Sequence, residues 1–162
     1  ASADSIIKIG KEFEAITGRP YAHVEGYGME DAETAIVVLG SSAGNARAVA
    51  RELRAEGKKV GIVKIRTYRP FPSKELAEMV KGCKSIAVLD RAESFGAPAG
   101  PLALDTMSAL YENNVMIPLR PYIFGLGGAD VKLDLIRSVY EDLEKAAAGE
   151  PSPGLVYLGA QQ

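Results

Sequence analysis

A chain of 162 residues, 47% hydrophobic and 25% charged, has the size and make-up of one globular domain able to bury a core. Its net charge of −2 leaves no electrostatic footprint for nucleic acid or an anionic membrane, and no apolar run approaches the ~20 residues that cross a bilayer. The only cysteine, Cys83, excludes an intrachain disulfide and a multi-cysteine metal site, and with no signal-peptide core at the N-terminus it fits a reducing, cytoplasmic setting.

Periodicity predicts a first helix over residues 5–17, with Ile6, Ile9, Phe13 and Ile16 on one face and Gly18-Arg19-Pro20 stopping it. Residues 21–26 alternate as a short strand does. After a polar turn, residues 34–39 are apolar throughout, as in a strand buried on both faces of a parallel sheet. Gly40-Ser41-Ser42-Ala43-Gly44 then turns into a helix striped by Ala46, Val49, Ala50 and Leu53, with Arg47, Arg51 and Arg54 outward and Gly57 closing it. The unit repeats. A strand at 60–65 leads to a helix from about Ser73 lined by Leu76, Met79 and Val80, and a strand at 85–90 leads to a helix over 101–111. The last core strand, 119–124, precedes a helix that Asp130 is expected to cap, carrying Val131, Leu135, Val139 and Leu143 four apart. Residues 146–154 read as a small-residue and proline linker, and 154–159 as a short apolar arm. The expected domain plan is a linker helix at 1–20, an αβα domain at 21–147, and a linker with an apolar arm at 148–162. Beginning Ala-Ser-Ala-Asp without methionine, the chain is expected to be a processed subunit, a fragment or an excised piece.

Strands alternating with helices of this length predict α/β architecture, a three-layer αβα sandwich with right-handed crossovers. Two strand exits carry the chemistry. Val63-Lys64-Ile65-Arg66-Thr67-Tyr68-Arg69-Pro70-Phe71-Pro72 leaves its strand as a stiff arm, because each proline fixes its own φ and pushes the residue before it into an extended conformation. The next strand ends in Asp90-Arg91-Ala92-Glu93-Ser94-Phe95-Gly96. Parallel strands place both exits on one sheet edge, where open α/β sheets meet ligands or partners.

The candidate sites each have a plainer explanation. Free N–H groups at the start of the helix after Gly40–Gly44 suit an anion, but the segment is neither a dinucleotide fingerprint nor a Walker loop, and a serine N-cap explains it. Gly125-Leu126-Gly127-Gly128-Ala129-Asp130 follows the last core strand, the wrong place for a dinucleotide loop; its glycines let the backbone pass close to a neighbouring chain or domain. Asp90, Arg91 and Glu93 form an acid–base set on paper, yet no histidine lies nearby and structural ion pairing is the commoner outcome. His23 has no Cys or His partner for a metal, and Cys83 has no base to activate it.

The runs RTYRPFP at 66–72, VLDRAESFGAPAGPL at 88–102 and FGLGGADV at 124–131 give the chain a family likeness. It resembles the C-terminal part of the alpha subunit of pyruvate:ferredoxin oxidoreductase, called domain II, which is similar in fold to the transketolase C-terminal domain. The resemblance implies a five-stranded, mostly parallel sheet with the strand near 21–26 as its antiparallel edge. It implies that the exits serve interdomain or intersubunit packing, through Arg66, Tyr68, Arg69, Phe71, Arg91, Glu93, Phe95, Leu155 and Tyr157. Phe95 would be the apolar anchor, and Arg66 or Arg69 counter-charges to the acids of the second exit.

For the whole enzyme, the resemblance implies oxidation of pyruvate with coenzyme A to acetyl-CoA and CO2, reducing ferredoxin. Thiamine diphosphate, Mg2+ and [4Fe–4S] clusters would be the cofactors, none of them held by this chain, so catalytic, cofactor and metal residues are expected to be absent here. The implied partners are an upstream pyrimidine-type domain, beta, gamma and delta subunits, and ferredoxin through the complex, with neither nucleic acid nor membrane. Three readings stay open beside it: the C-terminal domain of a transketolase or 2-oxoacid dehydrogenase beta chain, a small-ligand module using the Ser41–Gly44 helix start, and an assembly domain with no ligand. SFGAPAG and GLGGADV favour the ferredoxin-linked branch.

Overall fold

The structure, a computed structural model, describes residues 2–159. It opens with α1 (Ser2–Thr17) and β1 (Val24–Tyr27). It then alternates β2 (Thr34–Leu39), α2 (Ser42–Ala55), β3 (Val60–Ile65), α3 (Ser73–Val80), β4 (Ser85–Asp90), α4 (Pro101–Glu112), β5 (Leu119–Phe124) and α5 (Leu133–Ala147), and ends in β6 (Val156–Leu158). Ala1 and residues 160–162, the tip of the expected terminal arm, lie outside the described residues.

The strands form one sheet in the order β1-β3-β2-β4-β5-β6. As expected, β1 is an antiparallel edge, Val24 opposite Ile65, and every other pairing is parallel. The sheet has six strands rather than five. The additional strand is the apolar arm, whose Val156 and Leu158 pair with Tyr122 and Phe124 and pack on the core, while Tyr157 between them stays exposed. Three residues behind a Pro/Gly linker are too few for period-two alternation to stand out in the sequence.

Side chains alternate across the sheet. Ile36, Val38, Ala87 and Leu89 face α2 and α5; Ala35, Val37, Ile86 and Val88 face α3 and α4. Helices on both faces explain why residues 35–39 and 86–89 are apolar at every position. The β2–β3 step runs one way across the sheet with α2 on the first face. The β3–β4 and β4–β5 steps run the other way with α3 and α4 on the second face, which is the same hand. The β5–β6 step continues in that direction, yet its helix α5 lies on the first face beside α2, giving this crossover the opposite hand. Burial is the reason: α2 alone would leave half that face bare, and Ile136, Val139, Tyr140 and Leu143 of α5, all nearly inaccessible, fill it. The Tyr140 hydroxyl donates to the Gly61 carbonyl at 2.9 Å and fixes the helix over the sheet.

Two helices differ from expectation, one in its start and one in the face it buries. α5 begins at Leu133 with Lys132, not Asp130, at its N-cap. Gly125, Gly127 and Gly128 take positive φ and hold a short 3-10 turn there, which delays the helix. α1 forms, but its apolar stripe is not core: Ile9, Phe13 and Ile16 are exposed and only Gly10 is buried. A Cβ at Gly10 would collide with the Tyr21 carbonyl oxygen, so this glycine is what lets the helix rest on the following segment.

Candidate functional site

Because β2, β3, β4 and β5 run parallel, their exits share one edge, and antiparallel β1 brings its start there too. Tyr68 from the β3 exit and Arg91 from the β4 exit line the same cavity, as the topology required.

Asp90 is the most consequential side chain of this edge. It is buried, and its two carboxylate oxygens accept hydrogen bonds from the Leu102 and Ala103 backbone N–H groups, both at 2.9 Å. An acid accepting the first free N–H groups of a helix stabilises its positive end. Here the acid comes from the preceding strand instead of the N-cap position, which Gly100 occupies, with Pro101 at the first helical position. Burial pushes the Asp90 pKa above its ordinary value, and the two N–H donors partly offset it. Asp90 is therefore not a counter-charge for Arg66 or Arg69. The expectation of an ion pair at Asp90 did not include this cap, for which the signal in the sequence is Gly100-Pro101 opening a helix.

Arg66 instead pairs with Glu25 of β1, its Nε donating to Oε2 at 3.0 Å, and its guanidinium covers the Tyr21 ring at 4.6 Å. The Arg66 hydrogen bond is the main reason the Glu25 pKa sits below the usual carboxylate value. Arg69 pairs with Asp105 of α4 at 2.9 Å and lies over the Tyr68 ring at 4.1 Å. Both arginines thus find acids on other elements than the sequence reading expected. Tyr68 and Phe71 meet edge-to-face at 6.0 Å and pack on the rim of the core under α3 and α4.

The β4 exit is more open. Arg91 has no carboxylate partner among the described residues and lies 5.9 Å from the Phe124 ring centroid. The Glu93 carboxylate reaches the Tyr157 hydroxyl and raises its pKa, tying this loop to β6. Leu155 is half-buried just before that strand. Phe95 alone projects wholly into solvent, at 110% relative exposure.

Among the described residues, no three His, Cys, Asp or Glu side chains gather as a metal-ligand set. Cys83 is buried, and burial pushes its thiol up to about 11. His23 is buried with Nε2 beside the Ala3 carbonyl oxygen at 3.3 Å. A [4Fe–4S] cluster takes four thiolates, and the chain has one cysteine and no Gly-Asp-Gly diphosphate motif, so its residues fit neither a cluster nor thiamine diphosphate. At this edge Asp90 is engaged in a helix cap, Glu25 and Asp105 are engaged in ion pairs, and the Phe95 ring stands fully exposed. No described helix is long and apolar enough to cross a membrane.

Residues 32–136 match the sequence profile of the pyruvate:ferredoxin oxidoreductase core domain II. The pyruvate synthase subunit PorA of Thermotoga maritima is 51% identical over 135 residues, covering 83% of this chain and 34% of the relative. The ketoisovalerate oxidoreductase subunit VorA of Pyrococcus horikoshii is 41% identical over 146 residues, covering 88% of this chain and 36% of the relative. The chain thus spans about a third of the length of the curated relatives it matches. In fold it is similar to a split-gene transketolase solved as an inactive beta4 tetramer, with a TM-score of 0.57 and 20% identity over 76% of this chain and 41% of that one.

Proposed function

Because the chain belongs to the pyruvate:ferredoxin oxidoreductase core domain II family, we propose that it is the assembly domain of a larger 2-oxoacid:ferredoxin oxidoreductase and performs none of the bond-making itself. The whole enzyme would take pyruvate, coenzyme A and oxidised ferredoxin to acetyl-CoA, CO2 and reduced ferredoxin, in a reducing cytoplasmic setting. Thiamine diphosphate, Mg2+ and [4Fe–4S] clusters would sit in the other parts of the enzyme. Residues 21–147 would be the working domain, with 1–20 and 148–162 as connecting segments. Its partners would be an upstream pyrimidine-type domain and the beta, gamma and delta subunits, with ferredoxin reached through the complex.

One observation carries the reading. Three of the charged groups at the strand exits, Asp90, Arg66 and Arg69, are bound into the domain's own framework, while Phe95 in the loop after β4 is left fully exposed. An exposed aromatic rimmed by polar groups is the composition of an interface anchor. That relatives named for pyruvate and for ketoisovalerate share this domain supports placing substrate choice elsewhere.

A domain exchange tests it. Replacing this domain in a pyruvate-oxidising enzyme by its counterpart from a ketoisovalerate enzyme is expected to leave the kcat/KM preference for pyruvate unchanged. A preference that follows the exchanged domain would place substrate contacts in this chain and overturn the reading.

A further inference from the structure

The turn between β2 and α2 does not behave as a plain helix cap. Ser41 holds the N-cap position in a right-handed helical conformation, φ −68° and ψ −26°, and its side chain makes no cap bond. Ser42, 9% exposed, also makes no side-chain hydrogen bond among the described residues. Of the first N–H groups of the helix, which have no acceptor four residues back, that of Gly44 reaches the Ser41 carbonyl at 2.9 Å and that of Ala43 the Gly40 carbonyl only at 3.4 Å.

Both serines line a cavity of about 330 Å3 at the carboxyl ends of β2 and β4. These two strands are neighbours whose connections leave toward opposite sides of the sheet, the switch point where α/β sheets hold ligands. Arg91 forms part of the same wall. Its side chain passes close to Gly125, where a Cβ would stand 3.1 Å from Arg91 Nε. Asp90 borders the cavity too, but both its oxygens are engaged with α4. The rest of the wall is mostly apolar, with Leu39, Leu89 and Phe124 beside the Tyr68 ring.

We propose that this cavity binds a phosphate monoester of a small organic molecule. The phosphate would be held between the start of α2, with the Ser41 and Ser42 hydroxyls, and the Arg91 guanidinium, and the organic part would lie against Leu39 and Phe124. Donors arriving from two sides suit a tetrahedral oxyanion, and a helix N-terminus favours negative charge. The apolar wall gives the organic group a reason to bind that free phosphate lacks. This site is separate from the assembly reading and does not depend on it.

The test is a titration of the 15N-labelled 162-residue chain, followed by amide shifts, with phenyl phosphate, inorganic phosphate and chloride at matched ionic strength. Phenyl phosphate is expected to shift Ser41, Ser42 and Arg91 saturably and to bind more tightly than inorganic phosphate. Arg91→Gln is expected to weaken it about tenfold, and Ser42→Ala to weaken it with the melting temperature kept. Shifts that never saturate, that chloride reproduces, that centre on Lys58, Lys59 and Lys84, or that ignore Arg91→Gln each overturn the proposal, as does equal binding of inorganic phosphate. If the ester does not bind while Arg91→Gln impairs assembly of the oxidoreductase, the cavity receives a partner's side chain: this proposal falls and the assembly reading stands.

Discussion

Gly100 and Asp90 are in such close contact that a Cβ at Gly100 would lie 2.5 Å from the Asp90 Cβ, Cγ and Oδ2 atoms. The Gly100 backbone, at φ −70° and ψ 166°, is one any residue adopts, so the requirement for glycine here is steric and not conformational. Gly100→Ala is therefore expected to push Asp90 off the Leu102 and Ala103 N–H groups and cost about 1–3 kcal/mol, the desolvation penalty of buried groups left without partners. Asp90→Ala should cost a similar amount and Asp90→Asn less, since an amide oxygen still accepts one of the two bonds. Urea unfolding of the three variants reads the order, and a neutral Gly100→Ala would show that the contact relaxes freely.

Acid should destabilise the domain through Glu25. Its pKa lies below the ordinary 4.5, chiefly because of the Arg66 hydrogen bond. A carboxylate with a lower pKa folded than unfolded contributes stability above its unfolded value, and loses it as the pH falls through the folded one. Asp90 acts in the opposite sense: burial raises its pKa, so the folded state takes up a proton more readily and softens the acid loss. Glu25→Gln is expected to flatten the fall in urea midpoint below pH 4.5. An unchanged slope would assign the acid sensitivity to other carboxylates.

The terminal strand should matter to stability as well as to shape. Val156 and Leu158 pack on the α2–α5 side of the core, so removing residues 155–162 is expected to lower stability by roughly 2–4 kcal/mol, the scale of withdrawing two partly buried aliphatic side chains and their strand pairing. Val156→Asp should have a comparable effect. A truncated chain melting at the full-length temperature would mean that the strand rests on the sheet without contributing to it.

Phe95 should separate folding from assembly. Its ring touches solvent on all sides, so Phe95→Ala is expected to leave the domain's stability within about 0.5 kcal/mol. In the complete oxidoreductase the same substitution should lower the yield of assembled complex, with the activity of each assembled molecule kept. Native mass measurement paired with ferredoxin reduction per complex distinguishes these outcomes. A normal yield with a reduced rate would place Phe95 next to the chemistry.

Local pattern determined most of the scaffold. β2, β3, β4 and β5 have the boundaries that their largely apolar runs predicted, because strands buried on both faces are mostly hydrophobic along their length. Parallel strands then put the 66–72 and 91–100 segments on one edge without any knowledge of side-chain contacts. The motifs in those segments also carried the family.

What only the tertiary structure decided are matters of partnership between residues distant in the chain. Arg66 pairs with Glu25 across 41 positions and Arg69 with Asp105 across 36. Asp90 turns inward to a helix start that Gly100 opens, and Ser41 and Ser42 are left without the cap bond their position suggested. α5 crosses back to share a face with α2, which lets a three-residue arm complete the sheet. Periodicity says that a side chain will be buried, because burial follows from one element's own pattern. It does not say against what, because a partner is chosen by the distances and charges that exist only once the layers have packed.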